Sequence, residues 1–329
     1  MPTPLKPEEV LRGRYRISRT IGQGGMGSIY LADDLRLEGR QCALKEVEHD
    51  RNVPAEILKQ AREQFLREAT VLARLDHPNL PKVSDFFSIS GRDYLVMDFV
   101  PGKDLRTLMN EAKQKGTFLS ERDVLNWGNQ LANALSYLHC QNPPIVHRDI
   151  KPSNLKLTPT GLLKLVDFGL VKILVSNEVT VTILQGRGTA LYTPLEQYGG
   201  DTGHTDVRTD IYAFGATLYH LLTNHPPVEA RELFLDPNAL TPPRQFNTGI
   251  SLKTERAIQW AMSLHPGDRP QDIETFRQAL LGDWDPTSRP RAPLPTPSLV
   301  DLVSSPVERT LIWISAFLLF ISLVVTLIS

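Results

Sequence analysis

The chain has 329 residues, of which 41% are hydrophobic and 22% charged, so it can fold into one large domain or two ordinary ones. Its 36 basic and 37 acidic side chains give a net charge of −1, which argues against a bulk electrostatic grip on nucleic acid, and no nucleic-acid partner is expected. The two cysteines, Cys42 and Cys140, exclude a disulfide scaffold and a cysteine-rich zinc module.

The first part of the chain is predicted to be rich in strands. Residues 1–14 contain three prolines and mixed charges, so we expect a flexible lead-in, and the absence of an apolar run there predicts no cleavable signal peptide. Five segments are predicted as strands: Tyr15–Ile21, Ser28–Ala32, Gln41–Val47, Val83–Ile89 and Asp93–Phe99. The sequence Ser90-Gly91-Arg92 predicts a hairpin between the last two, and a helix is predicted from Ala55 to Leu75.

After Gly102 the pattern becomes helical. Ser120 is predicted to cap a helix whose apolar residues recur at helical spacing from Val124 to Leu138. Further helices are predicted over Thr209–Leu222, Thr254–Leu264 and Asp272–Leu281. The expected fold is therefore α+β and bilobal, with a small β-rich lobe that carries one main helix and a larger α-helical lobe.

The end of the chain differs from the rest. Six prolines between Pro286 and Pro306 predict an extended linker over residues 283–309. Residues 310–329 are predicted to form a single transmembrane helix, because the 19 uncharged residues of Leu311–Ser329 span about 28 Å at ~1.5 Å per residue. The arginines ahead of this run, with no charge after it, predict a cytoplasmic globular part held by a tail anchor in the cell membrane. A buried core helix is the alternative reading.

A glycine cluster, Gly22-Gln23-Gly24-Gly25-Met26-Gly27, lies between two predicted strands. Glycines let backbone amides approach phosphate oxygens without interference from a Cβ atom. By itself the motif also fits a simple turn or a dinucleotide site. A dinucleotide site needs a helix to begin inside the motif, whereas the residues from Ser28 onward continue as a strand.

Polar residues further along the chain indicate the chemistry of the site more specifically than the glycine cluster does. Alone, Lys45 and Glu68 would be read as ordinary surface charges. The segment His147-Arg148-Asp149-Ile150-Lys151-Pro152-Ser153-Asn154 is different, because it places six polar side chains within eight residues. Asp167 follows in the sequence Leu165-Val166-Asp167-Phe168-Gly169. Two acids and an amide that converge on one site suit divalent metal and phosphate chemistry.

Together these motifs, in this order over about 265 residues, resemble the signature set of protein kinases. The loop has a lysine, Lys151, two residues after Asp149, and in this it resembles serine/threonine kinases rather than tyrosine kinases. The glycine cluster with Met26 and the apolar C-terminal run are similar to bacterial eukaryotic-like kinases. The resemblance implies a kinase domain over residues 15–282, with an N-lobe (15–97), a hinge (98–102) and a C-lobe (103–282).

The resemblance also implies a role for each motif residue. The implied catalytic residues are Asp149, Lys151 and Lys45. Asp149 is expected to accept the proton of the substrate hydroxyl or to orient that hydroxyl. The residues implied to bind ATP are Ile21, Gly22, Gly24, Gly27, Ile29, Ala43, Lys45, Glu68, Met97, Asp98, Val100, Asn154 and Asp167. Among them Lys45 is expected to pair with Glu68, and Asn154 and Asp167 to hold Mg²⁺ or Mn²⁺. Met97 fits the gatekeeper position, and Asp98 and Val100 fit the hinge.

Other implied roles are structural or regulatory. Glu196 is expected to pair with Arg269, and Asp210 to anchor the catalytic loop. Thr180 and Thr182 are candidate autophosphorylation sites, although both also fit a plain β-like stretch. The sequence departs from the family at Pro194-Leu195-Glu196, where Ala-Pro-Glu is usual, and at Lys156, where an aliphatic residue usually lies beneath adenine.

The sequence therefore predicts a membrane-anchored serine/threonine protein kinase that uses ATP, acts on serine or threonine of protein substrates and autophosphorylates, with a possible homodimer for reaction in trans. A pseudokinase that binds and signals without catalysis is the first alternative, but it would usually lack Lys45, Asp149 or Asp167. A small-molecule phosphotransferase is the second, and the segment from Gly188 to Glu196, which resembles a peptide-docking platform, argues against it.

Overall fold

The computed structural model describes residues 4–24, 27–47, 55–167, 172–173, 190–198 and 205–282. The chain divides after Pro286, and all described residues lie before that boundary. The predicted linker over residues 283–309 and the predicted membrane helix over residues 310–329 lie outside the described residues. Within the described part, no helix is both long enough and apolar enough to cross a membrane.

An antiparallel sheet of six strands forms the first lobe. Its strands are β1 (Val10–Leu11), β2 (Tyr15–Gly24), β3 (Gly27–Asp34), β4 (Gln41–Val47), β5 (Val83–Ile89) and β6 (Arg92–Asp98). They lie in the order β1-β2-β3-β4-β6-β5. The predicted hairpin is confirmed, because Ile89 pairs with Arg92 and the intervening Ser90 and Gly91 both have positive φ, 53° and 76°.

One helix, α1 (Ala55–Leu72), packs against this sheet. Its described buried residues Phe65, Ala69 and Leu72 join Leu95 and Met97 of β6 in the main hydrophobic core. The helix begins at the predicted residue but ends three residues earlier than predicted. Past Leu72 the chain forms single turns instead, in which the amide of Leu75 donates to the carbonyl of Leu72 at 3.2 Å.

The start of the chain corrects one expectation. Residues 4–11, here called the N-terminal strap, are not a flexible lead-in but lie on the outer face of the sheet. Leu5 and Leu11 are buried there in a second apolar cluster with Tyr30, and β1 pairs with β2. The Leu5 amide donates to the Tyr30 hydroxyl at 3.1 Å. Burying a leucine side chain contributes about 1.5–3 kcal/mol, so the two buried leucines favour the ordered position of the strap.

The second lobe is mainly helical. Its helices are α2 (Leu105–Gln114), α3 (Glu121–His139), α4 (Val207–Thr223), α5 (Ala230–Leu235), α6 (Pro243–Phe246), α7 (Leu252–Ala261) and α8 (Ile273–Leu281). Ser120 caps α3 as predicted, because its side chain accepts from the amide of Asp123. Every residue of α4 from Thr209 to Thr223 is buried, so this helix forms the centre of the lobe.

The described residues of the second lobe also include five short strands: β7 (Lys103–Asp104), β8 (Ile145–Val146), β9 (Leu155–Leu157), β10 (Leu163–Leu165) and β11 (Lys172–Ile173). One small sheet has the order β10-β9-β7, and β8 pairs with β11. The polar segment from His147 to Asn154 therefore leaves one short strand and enters another. Residues 98–102, the expected hinge, run from the end of β6 to the start of β7.

Two glycines in the middle of buried helices provide a matched stability test. A Cβ atom on Gly128 of α3 would meet Phe214 and Leu218 at 3.6 Å, an ordinary contact, and would border a small apolar cavity. On Gly215 of α4 it would lie 2.8 Å from the Cβ of Ala261. Both changes to alanine gain helix propensity, about 0.5–1 kcal/mol.

We therefore expect Gly128→Ala to raise the free energy of unfolding by about 0.5–1 kcal/mol. Gly215→Ala should lower it by about 1–3 kcal/mol, because the overpacked Cβ outweighs the same helix gain. Urea unfolding of both variants beside the wild type measures the difference. Equal effects of the two substitutions would contradict this packing of α3 and α4.

Candidate functional site

The glycine cluster forms the turn between β2 and β3, where Gly24 pairs with Gly27. Gly25 and Met26 lie outside the described residues. Gly27 has φ +131°, and a Cβ atom there would lie 2.1 Å from the carbonyl oxygen of Glu46, so the fold itself requires glycine. A Cβ atom on Gly22 would only touch Ile29 at 3.5 Å. The packing of the sheet therefore does not by itself require glycine at position 22, where the pairing of β2 with β3 shifts register.

Four expected nucleotide contacts share one face of the sheet. Ile29 pairs with Lys45, and Ala43 pairs with Met97. Directly paired residues of antiparallel strands point to the same side, and so do residues two apart on one strand. Ile29, Ala43, Lys45 and Met97 consequently line the same face. Ile21 and Ile29 are half-buried and pack against the main core.

The hinge begins where β6 ends. Asp98 forms two hydrogen bonds with Lys82, which directly precedes β5. The Asp98 amide donates to the Lys82 carbonyl at 3.0 Å, and the Asp98 carboxylate accepts from the Lys82 amide at 3.3 Å. Arg40 also donates to the Asp98 carboxylate, at 3.4 Å. Phe99 is half-buried and Val100 is buried. The segment expected to contact adenine is thus held at its first residue.

Asp149, Lys151 and Asn154 form one compact cluster between β8 and β9. Lys151 Nζ donates to both carboxylate oxygens of Asp149, at 2.8 and 2.9 Å. Asn154 Nδ2 donates to the Asp149 carbonyl at 2.8 Å and to its Oδ2 at 2.9 Å. Residues Pro152–Asn154 form a 3₁₀ turn that directs Asn154 back toward Asp149. Two donors therefore fix the carboxylate of Asp149.

Asp167 joins this cluster to the sheet of the first lobe. The amide of Val166 donates to the carbonyl of Asn154 at 2.8 Å, which places Asp167 one residue beyond the cluster. Lys45 Nζ forms an ion pair with Asp167 Oδ1. Burial by itself would raise the pKa of Asp167, but the charges of Lys45 and Lys151 outweigh burial and hold this pKa below its usual value. Asp167 is therefore an anion at neutral pH.

The expected ion pair between Lys45 and Glu68 is not present in the described part of the chain. Lys45 is neutralised by Asp167, and Glu68 accepts a hydrogen bond from Gln64 one helical turn earlier, at 3.0 Å. Burial raises the pKa of Glu68, and Gln64, Arg148 and Arg67 offset this only in part. Arg148 and Arg67, rather than Lys45, are thus the charged groups that act on Glu68.

The donors around Asp167 suit a hard divalent cation. The amide nitrogen of Asn154 is turned toward Asp149, so its oxygen is the atom suited to a metal, together with the Asp167 carboxylate. Within the described ranges, no cluster of three or more His, Cys, Asp or Glu side chains could hold a metal by itself. Mg²⁺ needs few protein ligands when phosphate oxygens supply others, so this oxygen pair fits Mg²⁺ bound with a nucleotide.

Asp210 of α4 holds the start of the polar segment. Its Oδ2 accepts from the His147 amide and its Oδ1 from the Arg148 amide, both at 2.8 Å. His139 Nε2 contacts Oδ2 at 2.9 Å. This contact was not predicted from the sequence, where no role was expected for His139. Its position in the last turn of α3, shortly before β8, was the available signal.

Glu196 and Arg269 form a bidentate ion pair, at 2.6 and 3.0 Å. Arg269 is fully buried, and its remaining donors reach the carbonyls of Ser263, Leu264 and Arg208 at 2.7, 2.8 and 3.2 Å. Glu196 lies in a 3₁₀ turn, Leu195–Gln197. The sequence there is Pro194-Leu195-Glu196 in place of the Ala-Pro-Glu that is usual in the family. Gln197, which sequence reasoning also missed, donates from Nε2 to the Arg148 carbonyl at 3.3 Å.

Thr180 and Thr182, the candidate phosphorylation sites, lie outside the described residues. The described end of the same segment docks on α4 through Tyr192, whose hydroxyl contacts His220 Nδ1 at 2.6 Å. Burial, with the charges of Arg106, Lys113 and His225, lowers the pKa of His220 to about 4. This contact therefore holds a neutral imidazole in the core at neutral pH.

Comparisons with known proteins agree with this geometry. The sequence profile of the protein kinase domain matches residues 15–293. A probable serine/threonine-protein kinase of Clostridium acetobutylicum is 33% identical over 277 residues, 82% of this chain and 40% of that protein. The serine/threonine-protein kinase PrkC of Bacillus subtilis is also 33% identical, over 84% of this chain and 41% of its own length. The chain thus spans about two fifths of the length of these relatives.

Solved structures give the same result for the fold. The kinase domain of Mycobacterium tuberculosis PknI superimposes with a TM-score of 0.63 at 28% identity, covering 84% of this chain and 98% of that one. The apo form of PpkA-294 gives a TM-score of 0.66 at 27% identity, covering 84% of this chain and 99% of that one.

The buried His220 predicts acid sensitivity. Its ordinary pKa is about 6.5, so between pH 6.5 and 4 the unfolded chain binds the extra proton and stability falls as the pH falls. The wild type should lose about 2–3 kcal/mol of unfolding free energy more than His220→Gln between pH 7 and 4.5. Urea unfolding at both pH values measures this. His265→Gln, at an exposed histidine, is the control, and an equal loss in His220→Gln would contradict the prediction.

Proposed function

The chain belongs to the protein kinase domain family, and we propose that it is an active serine/threonine protein kinase that transfers the γ-phosphoryl group of ATP to hydroxyl groups of proteins. The observation that carries the proposal is the cluster of Asp149, Lys151 and Asn154 beside the Lys45–Asp167 ion pair. It places a carboxylate, two ammonium groups and metal-type oxygen donors together, which are the groups that phosphoryl transfer uses.

Phosphoryl transfer depends mainly on the positioning of the reacting groups and on neutralisation of the phosphate charge. Asp149 accepts the proton of the substrate hydroxyl or orients that hydroxyl, and Lys151 neutralises charge near the transferred group. Lys45 holds phosphate oxygens from the sheet side. Bound Mg²⁺ or Mn²⁺, held by Asn154 and Asp167, would supply further neutralisation of the phosphate charge. Backbone amides around Gly22, Gly24 and Gly27 would contact the phosphates.

The two alternatives predict different residues or different surfaces. A pseudokinase needs the fold without phosphoryl transfer, and such proteins usually lack one of Lys45, Asp149 and Asp167, all of which are present here. A small-molecule phosphotransferase needs no docking platform for a peptide. The Glu196–Arg269 pair and the Tyr192–His220 contact hold the described end of the segment that resembles such a platform, which supports a protein substrate.

We further propose regulation by autophosphorylation at Thr180 or Thr182. Arg148 directly precedes Asp149, and an arginine in that position can bind a phosphate through two parallel hydrogen bonds. The phosphate would order the segment between Asp167 and Glu196. Reaction in trans requires two copies, so a homodimer on a surface would favour it.

Membrane attachment through residues 310–329 is also a proposal. It is supported by the 19 uncharged residues of Leu311–Ser329 and by Arg289, Arg291 and Arg309 on their N-terminal side. A kinase domain that uses ATP and Mg²⁺ would then lie on the cytoplasmic side. The proline-rich residues 283–309 would act as a semi-rigid spacer between this domain and the bilayer.

Removing the Asp149 carboxylate should abolish transfer without unfolding the protein. We expect Asp149→Asn to lower autophosphorylation by about 10²–10³-fold, because one charged group at the reacting centre commonly carries that factor. Purified full-length protein is incubated with radiolabelled ATP and Mg²⁺, and phosphopeptides are mapped by mass spectrometry. The wild type should carry phosphate at Thr180 or Thr182 and Asp149→Asn almost none. Near-normal labelling of Asp149→Asn would contradict the catalytic assignment.

The membrane proposal has its own measurement. After cell fractionation the full chain should sediment with membranes and resist extraction by high salt, whereas a truncation to residues 1–309 should be recovered in the supernatant. Alkaline carbonate washing separates an inserted helix from peripheral binding. Equal recovery of both proteins in the supernatant would end the anchoring proposal.

A further inference from the structure

Glu46 is a charged side chain buried on the outer face of the six-stranded sheet, opposite the cleft. It directly follows Lys45 on β4, so the two side chains point to opposite faces. Only 1% of Glu46 is exposed. Arg92 of β6 pairs with its carboxylate at 2.7 Å, and the hydroxyl of Tyr30 on β3 donates to it at 2.8 Å. Because a carboxylate persists in a core only when such partners replace water, Glu46 is held firmly in this place.

The Tyr30 hydroxyl links Glu46 to the N-terminal strap and to the glycine turn. It accepts the amide of Leu5 at 3.1 Å. Burial raises the pKa of Tyr30, and hydrogen bonds with Ser28 and with the Leu5 amide offset this in part. Ser28 directly follows Gly27 on β3. The same hydroxyl therefore joins the strap, the exit of the glycine turn and β4.

The backbone of Glu46 also lies against the glycine turn. Its carbonyl oxygen leaves no room for a Cβ atom on Gly27. On the neighbouring strand Ile29, two residues beyond Gly27, pairs with Lys45. Glu46 thus adjoins both elements that are proposed to hold phosphate oxygens, one through the chain and the other by contact.

The side-chain contacts of Lys45 do not by themselves fix it for nucleotide binding. Its partner Asp167 is also an expected metal ligand, and the expected pair with Glu68 is not found among the described residues. A nucleotide with its metal would therefore engage both Lys45 and Asp167. The place of the ammonium group then depends on the backbone of β4.

We propose that Glu46 is a positioning residue for phosphoryl transfer. Its bonds to Arg92 and Tyr30 fix the backbone of β4, and that backbone aligns Lys45 and Gly27 with the phosphates of the nucleotide. The inference rests on the proposed function, since it concerns the phosphates of the ATP used there. A misplacement of about 1 Å is enough to weaken such an alignment, even when its cause lies away from the reacting atoms. The adenosine part of the nucleotide should not be affected.

Isothermal titration calorimetry of the full-length protein with ATP and Mg²⁺, and separately with adenosine, tests the inference. Tyr30→Phe keeps the buried ring and removes the hydroxyl, and Glu46→Gln keeps the shape of the side chain and removes its charge. Both should raise the dissociation constant for ATP by about 3–10-fold, because the phosphate contacts are misaligned. The dissociation constant for adenosine should stay within about 2-fold of the wild type. A purely structural role would lower the fraction of binding-competent protein and leave both dissociation constants unchanged.

Tyr15→Phe is the matched control. Tyr15 is buried in the same apolar cluster as Tyr30, and its hydroxyl also donates to a carboxylate, that of Asp85 on β5, at 2.8 Å. This variant loses a comparable buried hydrogen bond at a different strand, so its affinity for ATP should remain that of the wild type. An equal loss of ATP affinity in Tyr15→Phe and Tyr30→Phe would overturn the inference, and so would equal losses for ATP and adenosine in Tyr30→Phe.

The failure of the two proposals is distinguishable. A wild-type protein that does not bind ATP contradicts the proposed function and this inference with it. Wild-type affinity for ATP in both Tyr30→Phe and Glu46→Gln contradicts the inference alone. Circular dichroism melting checks that each variant is folded. Should Glu46→Gln unfold, Tyr30→Phe keeps the test decisive, because it retains both partners of the Glu46–Arg92 ion pair.

Discussion

One buried carboxylate, that of Asp210, holds the start of the polar segment from His147 to Asn154 in place. Asp210 is fully buried on α4, and burial by itself would raise its pKa, yet hydrogen bonds and charge from His139, the charge of His147 and the amide of Arg148 hold that pKa below its usual value. An ionised carboxylate survives in a core only when such bonds replace water. Arg148 has φ 67°, a conformation that a non-glycine residue rarely adopts, and the two backbone bonds to Asp210 offset that strain. The position of Asp149 therefore depends on the burial of α4.

The sequence predicts well those features that are determined by neighbouring residues in the chain, such as strand alternation, turns and helix caps. Alternation along Gln41–Val47 places Ala43 and Lys45 on one face, and this follows from strand geometry alone. The hairpin at Ser90 and Gly91 has its own turn chemistry, and Ser120 its own cap. The Glu196–Arg269 pair joins residues far apart in the chain, and only the resemblance to a known family made it predictable.

The remaining features depend on tertiary contacts that no local pattern encodes. Leu5 and Leu11 are isolated apolar residues near prolines, and only the outer face of the sheet makes their burial favourable. The partner of Lys45 was mispredicted because several carboxylates compete for one ammonium group, and position in space decides between Asp167 and Glu68. Strands of two residues such as β8 exist because a partner strand pairs with them, so propensity does not reveal them.

Strand β4 carries functional side chains on both faces of the six-stranded sheet. Lys45 points into the cleft, so the next residue, Glu46, points to the outer face, where it is buried beneath the N-terminal strap. There Arg92 pairs with Glu46 at 2.7 Å, and Tyr30 donates to it at 2.8 Å while accepting the Leu5 amide. A buried charge is costly to move away from its partners. The outer network consequently fixes the backbone that carries Lys45, so the strap stabilises the cleft without touching it.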